Sequence, residues 1–136
     1  MSADENKRIA RRHYESISDL AAAFELIAPE VQFYGMPGVP PTYEGWQQAH
    51  MMFLAAFPDL QLKVEDEIAE GDTVVTRWTM AGTNQGPLMG MAATGKRVTI
   101  GGISIDRIAR GKVVEHRVAM DQLGMMQQLG VIPAPG

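Results

Sequence analysis

The chain has 136 residues, of which 46% are hydrophobic and 21% charged, with 12 Lys and Arg against 16 Asp and Glu for a net charge of −4, and no cysteine. That balance excludes disulfides and thiolate chemistry, and it argues against intrinsic disorder and against a broad phosphate-binding surface for nucleic acid. The length suits a single domain, 1–136, that buries roughly two-thirds of the surface its unfolded chain exposes. No run approaches the roughly 20 apolar residues of a membrane span, and the opening MSADENKRIARRHYES is too charged for a secretory signal, so a cytoplasmic location is expected.

In chain order, residues 4–17 place Ile9, His13 and Ile17 at helical spacing, with the basic run KRIARR on the solvated face. Asp19 can cap a second helix carrying Leu20, Ala23, Phe24 and Ile27, and Pro29 follows the pair. EVQFYG is a short strand candidate, and the three prolines of GMPGVPPTYEG make an irregular loop that could lid a pocket. From Gly45, a helix carries Trp46, Phe53 and Phe57 on one stripe with Met51, Met52 and Leu54 beside it, which predicts burial on two sides, and Pro58 ends it. The period then falls to two through LQLKVEDEIAEGDTVVTRWTMAGT, two strands turning at EGD. NQGPLMGMAATGK is a glycine-punctuated connection, and RVTIGGISIDRIARGKVVEHRVAM reads as a second hairpin turning at Arg110-Gly111. QLGMMQQLG is a short closing helix before a loose PAPG tail. Helices first and long strands later predict an α+β domain, with helices packed on one face of a curved antiparallel sheet.

A two-residue turn at Arg110-Gly111 sets Ser104 opposite Arg117, Gly102 opposite Ala119 and Ile100 opposite Asp121, whereas a three-residue turn would shift the register and put Asp121 beside Ile103. Gly102, Ser104, Arg117, Ala119 and Asp121 then share one face, mixed enough to line a cavity. The other face carries Ile103, Ile105, Val114, Val118 and Met120, an apolar set suited to a core or a subunit contact. The same register opposes Asp106 to Glu115, an unfavourable like-charge pair away from a wet rim.

GTNQG, GMAATGK, ISIDRIARGKVVEHR and MDQLGMMQQLG, with FPDL at 57–60 and Gly71-Asp72, together resemble the SnoaL-like polyketide cyclase or ester cyclase family over roughly residues 8–133. The resemblance implies the cone-shaped α+β barrel of the cystatin-like, nuclear transport factor 2-like superfamily. It also implies a homo-oligomer, dimer or tetramer, and a deep apolar pocket for a small-molecule substrate. In the family's aldol cyclases an aspartate just before the last helix is acid and base, and MDQLG places Asp121 there. One carboxyl can remove the proton beside a carbonyl and return it to the new alkoxide, so the resemblance implies neither metal nor cofactor. Against the family pattern, Asn84 replaces a histidine of GTH, Gly102 and Ser104 replace Gln and His, and Arg117 replaces the Trp after EH.

Each candidate also has a plainer reading. Asp121 can be the N-cap of the last helix instead of a catalyst, although Gly124 stands where a capping box has Glu or Gln. Arg117 can bind an anionic group, orient Asp121 or meet Glu115 or Asp106 at the rim. Asn84 can hold a substrate oxygen or cap its own turn. Tyr14, Trp78, Met89 and Met91 are pocket candidates for a flat ligand, with core packing the alternative. His13, His50 and His116 lie far apart with no paired metal-ligand spacing, so no metal site is expected. The functions this leaves open are acid–base cyclisation through Asp121, epoxide opening by Asp121 with Arg117 or Arg77 and Asp66, and a non-catalytic binding or oligomerisation domain.

Overall fold

A computed structural model describes residues 2–133 of the chain; most of the PAPG tail lies outside the described residues. Helix α1 (Ala3–Glu15) starts where the Ser2 side chain accepts the Glu5 N–H. Helix α2 (Leu20–Glu25) starts where Asp19 accepts the Ala22 N–H, the cap its sequence predicts. Such caps are worth about 1 kcal/mol each. Strand β1 (Ile27–Tyr34) is longer than EVQFYG suggests and takes in Pro29. Pro29 is tolerated because β1 is an edge strand and its pairing is irregular between Ile27 and Gln32, where no ladder N–H is required.

The proline loop leads to α3 (Tyr43–Ala56), capped by Thr42. Its buried residues, Trp46, Ala49, His50, Phe53 and Ala56, form one stripe, while Met51 is exposed. Met52 and Leu54 beside the stripe are half-buried against the core, so the second side that the composition suggests is covered only in part. Strands β2 (Gln61–Glu70) and β3 (Thr73–Thr83) turn at Gly71-Asp72, where Gly71 takes a left-handed φ of 61°. Strands β4 (Arg97–Ala109) and β5 (Lys112–Met120) and helix α4 (Gln122–Leu129) complete the chain.

The five strands form one open sheet in the order β1-β5-β4-β3-β2. The four long strands are antiparallel, as expected, and β1 joins the β5 edge in parallel. On β3 and β4 the even-numbered residues from Val74 to Met80 and from Val98 to Ile108 are all buried. Against that face pack Tyr14 of α1, Phe24 of α2 and Trp46 and Phe53 of α3 in one apolar core.

The last hairpin departs from its predicted register. Arg110 and Gly111 form the turn, with φ of 53° and 77°, and Ala109 pairs Lys112 and Ile108 pairs Val113 as expected. A bulge then inserts one residue, Val114, so Arg107 pairs Glu115, Asp106 pairs His116 and Ser104 pairs Val118. Beyond it every β5 side chain lies on the opposite face from the one predicted. Val118 and Met120 turn inward, Arg117 and Ala119 turn out, and Ile103 and Ile105 are exposed. The predicted Asp106–Glu115 repulsion disappears: Asp106 meets a histidine, and Glu115 meets Arg107 at 3.9 Å.

Gly102 and Trp78 are cross-strand partners. A Cβ on Gly102 would stand 2.3 Å from two indole carbons of Trp78. The missing side chain therefore admits the indole and does not enlarge the pocket. Gly102→Ala should cost about 1–3 kcal/mol through overpacking and displace Trp78. An unchanged denaturation midpoint and an unchanged tryptophan emission spectrum would refute this packing.

Candidate active site

Between α1, α3 and the inner sheet face lies a cavity of about 90 Å³, several times what one water needs. Its walls are largely apolar, with Phe33, Trp46, Phe53, Trp78, Met80 and Met120 among them. The polar groups that reach it are Tyr14, Ser104 and three histidines, His13, His50 and His116. Among the described residues no Lys, Arg, Asp or Glu lines it directly.

One carboxylate lies just behind the wall. Asp106 is 1% exposed, and a buried charge is tolerable only when fully partnered. The Tyr14 hydroxyl donates to its Oδ2 at 2.5 Å, and His116 Nδ1 meets its Oδ1 at 2.5 Å. Facing a carboxylate, Nδ1 carries the proton. In the neutral ring Nε2 is then the nitrogen that holds the lone pair, and it has no protein partner among the described residues. The imidazole is clamped flat against Trp46, with ring centroids 4.2 Å apart, and Phe33 stacks on it at 5.7 Å. Burial, reinforced by the Asp106 charge, pushes the Tyr14 phenol well above its usual range, so it stays a donor. Trp78 Nε1 donates to Ser104 Oγ at 2.8 Å, which fixes the end wall.

His13 and His50 come from α1 and α3, and each donates one ring N–H to a carbonyl: His13 Nδ1 to Ala23 at 3.1 Å, His50 Nε2 to Ile17 at 2.8 Å. Burial lowers both, His13 to about 4 against the opposing pull of Asp106. Both are therefore neutral near pH 7.

The residues singled out in the sequence divide sharply. Tyr14, Trp78 and Ser104 line the cavity, and Gly102 shapes it through Trp78. Asp121 is exposed, lies outside the cavity lining and caps α4 by accepting the Gly124 N–H at 2.8 Å. The register shift is the reason: Asp121 follows the outward sequence of Arg117 and Ala119. Arg117 is surface-exposed over the Tyr34 ring at 4.5 Å and 3.5 Å from Glu115. Arg77 and Asp66 pair at 2.7 Å on the surface, so the residues named for epoxide opening do not converge in the cavity. Asn84 is buried but consumed by its loop: its amide donates to the Gly86 and Ala56 carbonyls, and its Oδ1 accepts from the Thr94 N–H and hydroxyl. Met89 and Met91 sit in that loop, outside the cavity. By sequence, Asp106 stands out only as a rim partner of Arg117 and Glu115, and His13, His50 and His116 only for lacking metal-ligand spacing. The Asp106–Glu115 clash was the one sequence signal that the register had to move.

The fold is the cone-shaped α+β scaffold of the nuclear transport factor 2-like superfamily, with an apolar cavity between its helices and its sheet. The chain belongs to the SnoaL-like polyketide cyclase family, whose model matches residues 8–129. Among solved structures, AclR from Streptomyces galilaeus, described as a candidate hydroxylase, is 30% identical with a TM-score of 0.90, over 99% of this chain and 87% of its own. TsrD from Streptomyces laurentii is 28% identical with a TM-score of 0.86, over 97% and 99% of the two chains. IdmH from Streptomyces antibioticus, a candidate polyketide cyclase, is 31% identical with a TM-score of 0.79, over 92% and 98%. A comparison with curated proteins gives no match.

Two measurements check this arrangement. Because Asn84 satisfies four hydrogen bonds, Asn84→Ala should lower stability by about 2–4 kcal/mol, read as a lower urea midpoint; a shift under about 0.5 kcal/mol would refute the role of loop staple. The unfolded His13 binds a proton near 6.5 that the folded one refuses until about 4. Its contribution is thus complete above pH 6.5 and is lost as pH falls toward 4, by about 3 kcal/mol in all. Urea midpoints for the wild type should fall across that window more steeply than those of His13→Asn, and parallel curves would contradict it.

Proposed function

We propose that the protein is an acid–base enzyme of the polyketide cyclase type whose proton-transfer pair is His116 and Asp106. The observation that carries this reading is the buried Asp106 carboxylate, which fixes the His116 tautomer at the wall of an apolar cavity. Asp106 orients the ring and stabilises the imidazolium that forms when Nε2 takes a proton. The stacked Trp46 and Phe33 hold the plane of the base, and Tyr14 supplies Asp106 with its second hydrogen bond.

In an intramolecular aldol closure, Nε2 removes a proton from the carbon beside a ketone, and the electron pair delocalises onto the ketone oxygen. The enolate carbon attacks a second carbonyl, forming the ring C–C bond. The resulting alkoxide recovers the proton from the imidazolium, so neither electrons nor protons are gained overall. The substrate's carbonyls disperse the charge, and these steps require no redox group. Among the described residues the lining holds no Lys or Arg to neutralise an anionic substrate, which favours a small, neutral, largely apolar oxygenated molecule. The exposed Ile103 and Ile105 on the outer sheet face suit a second copy of the chain as partner.

The test is deuterium uptake at the α-carbon of neutral aryl ketones such as 1-tetralone in D2O, followed by mass spectrometry. Wild-type protein should accelerate exchange. His116→Asn keeps a donor toward Asp106 but has no base, and should lose at least about 100-fold. Asp121→Asn, which preserves a good cap, should keep the wild-type rate. No acceleration by wild type, or an unimpaired His116→Asn, overturns the assignment; a loss confined to Asp121→Asn returns the role to Asp121.

A further inference from the structure

The cavity also holds two histidines to which the proton-transfer steps give no role. His13 is 2% exposed and His50 5%, and both rings line the cavity about 6.3 Å apart, edge to face. Their carbonyl bonds settle their tautomers. With Nδ1–H directed at Ala23, His13 has an unprotonated Nε2; with Nε2–H directed at Ile17, His50 has an unprotonated Nδ1. Neither free nitrogen has a protein partner among the described residues. Neither is among the fully enclosed unpaired side-chain atoms, which are Asn6 Oδ1, Glu67 Oε2 and Thr76 Oγ1, so both lone pairs remain open to a group entering the cavity.

We propose that His13 and His50 form a hydroxyl-reading subsite, where a neutral ligand's phenolic or enolic O–H donates to His13 Nε2 or His50 Nδ1. A hydroxyl is the group that fits. A carboxylate or phosphate offers no proton and would meet these lone pairs in a cavity whose lining, among the described residues, holds no Lys or Arg. An ammonium would find no direct carboxylate there. Methyl or ether groups would leave both acceptors unpaired, the error that buried hydrogen-bonding sites reject most strongly. The low proton affinity of His13 keeps its lone pair available near neutral pH. The inference rests on the cavity being the ligand site proposed above: the hydroxyl is held between α1 and α3 while the reacting carbon faces His116 on β5.

Binding of 1-naphthol against 1-methylnaphthalene, which has a methyl group in place of the hydroxyl, isolates this contact. By calorimetry or fluorescence, the wild type should prefer the naphthol by at least about fivefold, the scale of one net hydrogen bond. The double variant His13→Leu, His50→Leu removes both acceptors without supplying an amide oxygen in their place, so its preference should fall below about twofold. In wild-type protein, where folding is not in question, the 15N resonance of His13 Nε2 or His50 Nδ1 should move upfield as naphthol is added. No binding of either compound at 1 mM, no hydroxyl preference, or a preference that survives in the double variant overturns the subsite. A preference abolished by His116→Asn instead places the hydroxyl at the reacting pole; that too overturns this inference, while the exchange experiment with 1-tetralone still judges the proton-transfer pair.

Discussion

A carboxylate buried among aromatic rings must be fully hydrogen-bonded or the domain pays for the stranded charge, and Asp106 meets that demand with two partners from distant parts of the chain. Tyr14 arrives on the first helix and His116 on the last strand, 92 and 10 residues away. Their convergence ties α1 to the β4–β5 hairpin across the core. Removing one partner of such a group typically costs several kcal/mol because the other is left unmatched, so the interaction fixes position as well as chemistry. Trp46 and Phe33 then bear on the His116 ring, and the wall of the cavity follows from these few contacts.

The Val114 bulge makes that arrangement possible. Strand side chains alternate with a period of two, so one inserted residue exchanges the faces of everything beyond it. Without it, His116 would face solvent and Asp106 would oppose Glu115. With it, His116, Val118 and Met120 line the interior and Arg117 moves to the surface. Asp121, only a residue beyond Met120, ends as an exposed helix cap.

The scaffold is shared more widely than any one reaction. A candidate hydroxylase and a candidate polyketide cyclase both match this chain at about the same identity, so the fold leaves the chemistry to the side chains that reach the cavity. Here those are three imidazoles, a phenol and a serine within apolar walls, backed by one hidden carboxylate. That set favours moving protons on a neutral molecule over binding an anion.

Much of the architecture was legible in the amino-acid sequence because its signals are local. The caps at Asp19 and Asp121, the turns at Gly71-Asp72 and Arg110-Gly111, the change of period after Pro58 and the family pattern all act over a few residues. They determined the α+β class, the order of the elements and the antiparallel hairpins. The site was less legible. Tyr14, Ser104 and Trp78 could be picked out by type, but Asn84 and Arg117 were equally plausible until their partners were known. Three histidines at positions 13, 50 and 116 have no spacing that announces a common site. Only the tertiary structure brought them to one cavity, because α1, α3 and β5 meet there, and only the bulge decided which face of β5 looks inward. A one-residue shift in pairing leaves the strand's local pattern almost unchanged, yet it inverts every side chain beyond it.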